Sequence, residues 1–299
     1  MQRPLNIALA LLLLIASGAM RAEPMSAREA FELPQPEPDA VIRYGELARQ
    51  FGELRLPEGE GPFGVAVIVH GGCWISDYDH GYMAAFAEAV TDLGLATWTI
   101  GYRRVGDPGG GWPNTFLDAG SAVDFLAELA SSYPLDIEHV LAIGHSAGGQ
   151  LALWLAGRVQ LAESSPLFAQ DPQPIAGVLA LAAAADLEYL SERQICDNAA
   201  TRLMQGTPSE RPRRYAEVSP AHRPPLDIPQ AMVNGELDET WSAPAESYFE
   251  AALAAGAPIE LQVMPDAGHF ELVAPESPDW QVVRTMLVEL VDRISPASP

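Results

Sequence analysis

Apolar and polar positions follow two rhythms along this chain. Short, nearly continuous apolar runs occupy 65–69, 96–100, 140–144, 175–181, 230–234 and 259–264. Runs of that length suit strands buried on both faces of a sheet. Longer stretches with apolar residues three and four apart lie between them, at 82–93, 116–129, 147–156, 243–255 and 280–294, and these predict helices. Upstream, 41–47 and 51–56 alternate well enough to form an antiparallel entry. Eight strands alternating with helices predict an α/β fold with a mostly parallel sheet and helices on both faces. Ligands in such sheets bind beyond the carboxyl ends of the strands, so the residues just after each strand are where chemistry is expected.

Three segments fall outside this rhythm. Residues 1–22 carry Arg3, an apolar core from Ile7 to Ala16 and small residues at Ser17, Gly18, Ala19 and Ala22, the pattern of a cleaved export signal. The apolar stretch is short for a membrane span, so none is expected in the mature chain. Residues 23–40, rich in Pro and Glu, read as a flexible lead-in. Residues 41–299 then form a single domain. Within it the alternation pauses over about 186–223, where a cap-like insertion is expected.

Composition narrows the function classes. Of 299 residues, 48% are hydrophobic and 19% charged, so the chain can bury a large core. The net charge of −23, with Arg as its only Lys/Arg-type cation, disfavours nucleic acid and anionic lipid as partners. Two cysteines, Cys73 and Cys196, could pair in an exported protein. A chain of this length does not need that staple, and the sequence leaves the pairing open. No Cys/His cluster has zinc-ligand spacing, and no metal or organic cofactor is implied.

The chemistry-bearing motif follows the run at 140–144: Gly144-His145-Ser146-Ala147-Gly148-Gly149. It matches the nucleophile elbow G-x-S-x-G, a sharp strand-to-helix turn that exposes a serine hydroxyl. The flanking glycines leave room for the strained turn. The following helix aims its N-terminus at the site, which favours developing negative charge. His145 reads as a packing residue whose side chain points away from that of Ser146. A second turn, His70-Gly71-Gly72-Cys73-Trp74, follows the run at 65–69. The N–H groups of Gly72 and Cys73, with that of Ala147, are candidates for an oxyanion hole. His70 reads as a structural histidine that holds this loop.

A serine nucleophile needs a histidine base, and the base needs an orienting carboxylate. Only His222 and His269 follow Ser146. His222 lies in a Pro-rich stretch, whereas His269 directly follows the run at 259–264, so His269 is the candidate base. Glu236, Asp238 and Glu239 compete for the acid after the run at 230–234, with Asp266 as an outside alternative.

HGGCW followed by GHSAGG resembles the esterase/lipase branch of the α/β-hydrolase superfamily, and within it the hormone-sensitive-lipase-like and arylformamidase-like group. The resemblance covers about residue 65 to the C-terminus and departs from the lipase-like HGGG form at Cys73. It implies the α/β-hydrolase fold and selects Asp238 as the acid. The expected function is then an exported serine hydrolase that cleaves a small-molecule carboxylic ester. An arylformamidase-like amide hydrolase is the alternative; a peptidase and a non-catalytic module fit less well. Trp74 and Trp112 are expected to bind substrate, with Trp154 and Trp241 as further wall candidates. Arg193, Arg202, Arg211, Arg213, Arg214 and Arg223 in the insertion read as a solvated surface, or else as a guide for an anionic substrate.

Overall fold

The computed structural model describes residues 23–295. The export-signal pattern at 1–22 lies outside them. Eight strands form one sheet: β1 (Ala40–Arg43), β2 (Phe51–Arg55), β3 (Phe63–Val69), β4 (Ala96–Ile100), β5 (Leu135–His145), β6 (Gly177–Leu181), β7 (Gln230–Gly235) and β8 (Ile259–Met264). Their order across the sheet is β1-β2-β4-β3-β5-β6-β7-β8. The β1–β2 and β2–β4 pairs are antiparallel and all others parallel. This is the eight-stranded, mostly parallel sheet that the apolar rhythm predicts.

Ten α-helices occur among the described residues: α1 (Ala27–Phe31), α2 (Ala84–Thr91), α3 (Asn114–Asp124), α4 (Leu126–Leu129), α5 (Ala147–Ala156), α6 (Leu187–Glu192), α7 (Ile195–Met204), α8 (Pro212–Val218), α9 (Glu239–Ala254) and α10 (Trp280–Ile294). Two pairs among them pack together beside the sheet. One is joined by the edge-to-face contact of Phe86 on α2 with Trp280 on α10, the other by that of Phe116 on α3 with Trp154 on α5. The central strands are wholly buried, which is why their sequences read as unbroken apolar runs.

Local differences from the sequence reading have physical causes. The first strand ends at Arg43, because a turn closes there: the Tyr44 N–H donates to the Gln50 carbonyl and the Gln50 N–H to that of Leu47. The helix expected over 116–129 is two, α3 and α4. The lead-in at 23–40 is not a featureless linker. Ser26 and Glu29 form a reciprocal capping box that starts α1, whose Ala30 is fully buried.

The sheet order places the site. The chain steps outward from β3 to β4, then returns to β5 on the other side of β3. Loops leaving β3 and β5 therefore diverge over a crevice at the carboxyl ends of two adjacent strands. Val69 is paired with Gly144, which brings His70 and Gly71 beside His145 and Ser146. Gly235 is paired with Met264, so the loops carrying Asp238 and His269 leave neighbouring strand ends.

Candidate active site

Ser146 is the residue between β5 and α5. Its backbone has φ 58° and ψ −121°, a conformation that costs a non-glycine residue about 1–3 kcal/mol. The turn is held from several sides. The Ser146 N–H donates to the Leu181 carbonyl (2.8 Å), and its carbonyl accepts from Gly149 (2.9 Å) and Ala184 (3.0 Å). The glycines are needed for contact. A Cβ on Gly144 would lie 2.1 Å from the Gly148 carbonyl oxygen, and one on Gly148 would lie 2.0 Å from that of Val69.

The loop after β3 packs directly against this turn. A Cβ on Gly71 would lie 2.8 Å from Ser146 Cβ. Gly72 (φ 99°), Cys73 (φ 52°) and Trp74 (φ 55°) take left-handed conformations in succession. Tyr102 donates its hydroxyl to the His70 carbonyl (2.8 Å) and stacks on the His70 ring. His70 Nδ1 donates to the Gly71 carbonyl (2.8 Å). Burial holds the His70 imidazole well below its usual pKa, so it stays neutral and acts as a brace.

His269 and Asp238 meet across 31 residues of chain. Nδ1 of His269 donates to Asp238 Oδ2 at 2.6 Å. Asp238 is the residue before α9 and is buried, while Glu236, Glu239 and Asp266 are exposed. Trp241, in the first turn of α9, stacks on the His269 ring at 5.3 Å. His222 lies away from the cavity and pairs with Asp186 (3.3 Å) and Glu188 (3.2 Å).

Ser146 and His269 open onto one cavity of about 260 Å³. Gly72 and Cys73 line it from the loop after β3, and Tyr78, Tyr82, Trp241 and Phe270 supply aromatic walls. Ala27 and Phe31 close it from α1. Phe31 reaches Tyr78 and Tyr82 with ring centroids at 5.6 and 5.2 Å. Ala147, at the first position of α5, lies beside Ser146 and is fully buried. A hydroxyl at a strained turn, a carboxylate-bound imidazole facing the same space and a helix N-terminus beneath it are the parts that acyl transfer requires.

The structure does not bring Trp74 or Trp112 to this cavity. Trp74 is buried behind the loop, where its indole N–H donates to Gln150 Oε1 (3.1 Å). Trp112 packs on Phe116 beneath the Arg214 guanidinium, and Trp154 is core. None of the six arginines of the insertion lines the cavity either. Arg214 and Arg223 are instead spent on backbone carbonyls of Met204, Glu217 and Gly157. The insertion does reach the site through Cys196 on α7, which is disulfide-bonded to Cys73, with the two Cα atoms 6.3 Å apart. The α1 wall had a legible signal, the capping pattern Ser26-x-x-Glu29. Tyr82 and Phe270 had none.

Comparison with known proteins places the chain in a family. Residues 53–251 match the model of the BD-FAE family. The chain belongs to the BD-FAE family. That family lies in the esterase/lipase branch of the α/β-hydrolases, the branch that HGGCW and GHSAGG resemble. A probable isoprenylcysteine alpha-carbonyl methylesterase of Oryza sativa subsp. japonica is 31% identical over 112 residues, 37% of this chain and 26% of that protein. The matched region thus spans about a quarter of that relative's length. The versiconal hemiacetal acetate esterase of Dothistroma septosporum is 26% identical over 251 residues, 76% of this chain and 72% of that protein. Among solved structures, esterase B from Lactobacillus rhamnosis superposes with a TM-score of 0.74 at 19% identity, covering 89% of this chain and 90% of that one. A truncated carbohydrate esterase from gut microbiota superposes with a TM-score of 0.72 at 17% identity, covering 84% and 95%. These likenesses show the α/β-hydrolase fold. No helix among the described residues is long and apolar enough to cross a membrane.

Proposed function

We propose that this protein is an exported serine hydrolase that cleaves a carboxylic ester through an acyl-enzyme. One observation carries the reading: Ser146, on its strained turn, and His269, bonded to Asp238, open onto the same cavity. In this mechanism His269 Nε2 takes the hydroxyl proton of Ser146 as Oγ attacks the ester carbonyl carbon. Asp238 keeps the other ring proton on Nδ1 and stabilises the imidazolium. The N–H groups of Gly72, Cys73 and Ala147 receive the oxyanion, and losing one such donor costs about 3 kcal/mol of barrier. Collapse breaks the bond to the alcohol oxygen, which leaves with the proton from His269. Water then gives a proton to His269, attacks the acyl-enzyme and releases the acid, and Ser146 recovers its proton.

The cavity supports a neutral substrate group. Its walls are aromatic and aliphatic, and no Asp, Glu, Lys or Arg is among the described residues that line it. A buried anion there would go unpaired, which is costly. The Cys73–Cys196 disulfide supports export, because such bonds persist in oxidising compartments.

The test is a panel of esters of graded acyl length with an N-formyl aryl amine, run on the wild type and Ser146→Ala. Ester turnover by the wild type, its loss in Ser146→Ala and fluorophosphonate labelling at Ser146 are expected. Absence of turnover on every ester, with Ser146 unlabelled, overturns the reading. Sequencing the N-terminus of secreted protein tests export, with a start at or near Glu23 expected.

A further inference from the structure

Three hydrogen bonds run in series beneath the cavity, through two side chains that the mechanism above leaves unused. The Gly71 N–H donates to the Tyr82 hydroxyl oxygen at 2.7 Å. That hydroxyl lies 2.8 Å from His145 Nδ1. His145 Nε2 lies 2.9 Å from the carbonyl oxygen of His269. The ends decide the direction. A carbonyl only accepts, so His145 carries its proton on Nε2. Nδ1 is then an acceptor, and Tyr82 gives it the hydroxyl proton while accepting from Gly71. Each donor meets one acceptor, and the chain closes with His145 neutral.

The surroundings hold it in that state. Tyr82 and His145 are fully buried, at 1% and 0% exposure. Burial, and then the neighbouring His269, keep the His145 imidazole well below its usual pKa; burial pushes the Tyr82 phenol up. The groups that face the His145 ring are Tyr82, His269 and the Phe270 ring. The ring of His145 therefore packs in the core, as the sequence implies, and also meets the candidate base. Its ring centroid is 4.6 Å from that of His269.

We infer that Tyr82 and His145 are positioning residues for the reaction, joining the backbone of the base, His269, to the backbone of the oxyanion loop at Gly71. The inference rests on the triad proposed above. β5 ends at the elbow beside β3, whereas β8 lies three places across the sheet from β5, so the loops that leave β3 and β8 are not neighbours in the sheet. The chain of hydrogen bonds spans that gap through the elbow residue His145. It fixes the spacing of imidazole and oxyanion donors while both stay free to act. Buried bonds in series also strengthen one another. Misplacing a reacting group by about 1 Å costs on the order of a hundredfold in rate.

Three variants test it: Tyr82→Phe, which removes one oxygen; His145→Leu, which removes both polar contacts; and His145→Gln, whose amide offers an N–H toward the His269 carbonyl. Each is assayed on a p-nitrophenyl ester below its unfolding temperature, for kcat, KM and the pH profile of kcat/KM. We expect Tyr82→Phe and His145→Leu to lose about ten- to a hundredfold in kcat with KM little changed and the acid limb displaced. His145→Gln should recover most of that loss. A folded Tyr82→Phe with the kcat and acid limb of the wild type overturns the inference, and so does His145→Gln no better than His145→Leu. If His145→Leu does not fold, Tyr82→Phe decides alone. His269→Ala separates the two readings. Activity surviving in it overturns the triad; activity lost in it, with Tyr82→Phe like the wild type, overturns only the positioning role.

Discussion

Nδ1 of His269 sits 2.6 Å from Oδ2 of Asp238, with the Trp241 ring lying over the imidazole. The bond fixes the tautomer that the proposed base needs, with the proton on Nδ1 and none on Nε2. In Asp238→Asn an amide can present its N–H to Nδ1 and so favour the opposite tautomer. We expect kcat to fall by about 10⁴ with the fold intact. Steady-state kinetics with a circular dichroism melt check this; a variant within tenfold of wild type would remove Asp238 from the role proposed for it.

Gly148 lets the start of α5 close onto the end of β3, where a Cβ would meet the Val69 carbonyl oxygen at 2.0 Å. Backbone cannot yield as a side-chain tip does. Gly148→Ala should therefore lose more than about 3 kcal/mol of stability or fail to fold. Urea denaturation of the purified variant gives the answer, and an unchanged midpoint contradicts the packing described.

The Cys73–Cys196 bond ties the loop after β3 to the insertion, where Cys196, Asp197 and Asn198 are all left-handed. Cys73 and Trp74 share that strained conformation at the other end. Breaking the bond lets both segments relax. Cys196→Ser should lose about 2–4 kcal/mol of stability and about tenfold in kcat through the proposed oxyanion donors. Reduced, alkylated wild type should match it. Unchanged kcat in both would show that the loop holds its shape without the bond.

Phe31 closes the cavity from α1 against Tyr78 and Tyr82. Phe31→Ala should extend the space and shift selectivity toward longer acyl chains by about tenfold in relative kcat/KM, the effect of a methylene or two. A chain-length series of p-nitrophenyl esters measures this. An unshifted preference would place the acyl group elsewhere in the cavity.

His70 and His145 set a pH dependence of stability. Burial keeps both neutral in the folded protein, whereas the unfolded chain protonates them near pH 6.5. The unfolded state thus binds more protons below that pH. Stability should be full above about pH 7 and should fall as the pH drops through 6.5, by up to about 1.4 kcal/mol per unit for each histidine. Ordinary carboxylates titrate lower and add little in that window. Urea midpoints between pH 8 and 5 follow the loss, and His145→Gln should show a shallower slope. Equal slopes would mean that His145 is not held neutral.

The sequence alone determined the strand order along the chain, the elbow at Ser146, the loop at Gly71 and Gly72, and His269 as the candidate base. These are local features: apolar runs mark buried strands, and glycines mark turns that a Cβ would block. Residue type could not separate Asp238 from Glu236 and Glu239, since all three sit within four positions of one another. The family resemblance selected Asp238; burial and the direction of the turn before α9 are what bring its carboxylate to the imidazole. Nor could residue type show that Trp74 and Trp112 turn into the core while Phe31, from a segment read as linker, walls the cavity. The same holds for Tyr82 and His145, 63 residues apart and joined by one hydrogen bond. Such contacts depend on sheet register and on which helix face meets which loop. Tertiary packing decides those, because no short stretch of chain contains both partners.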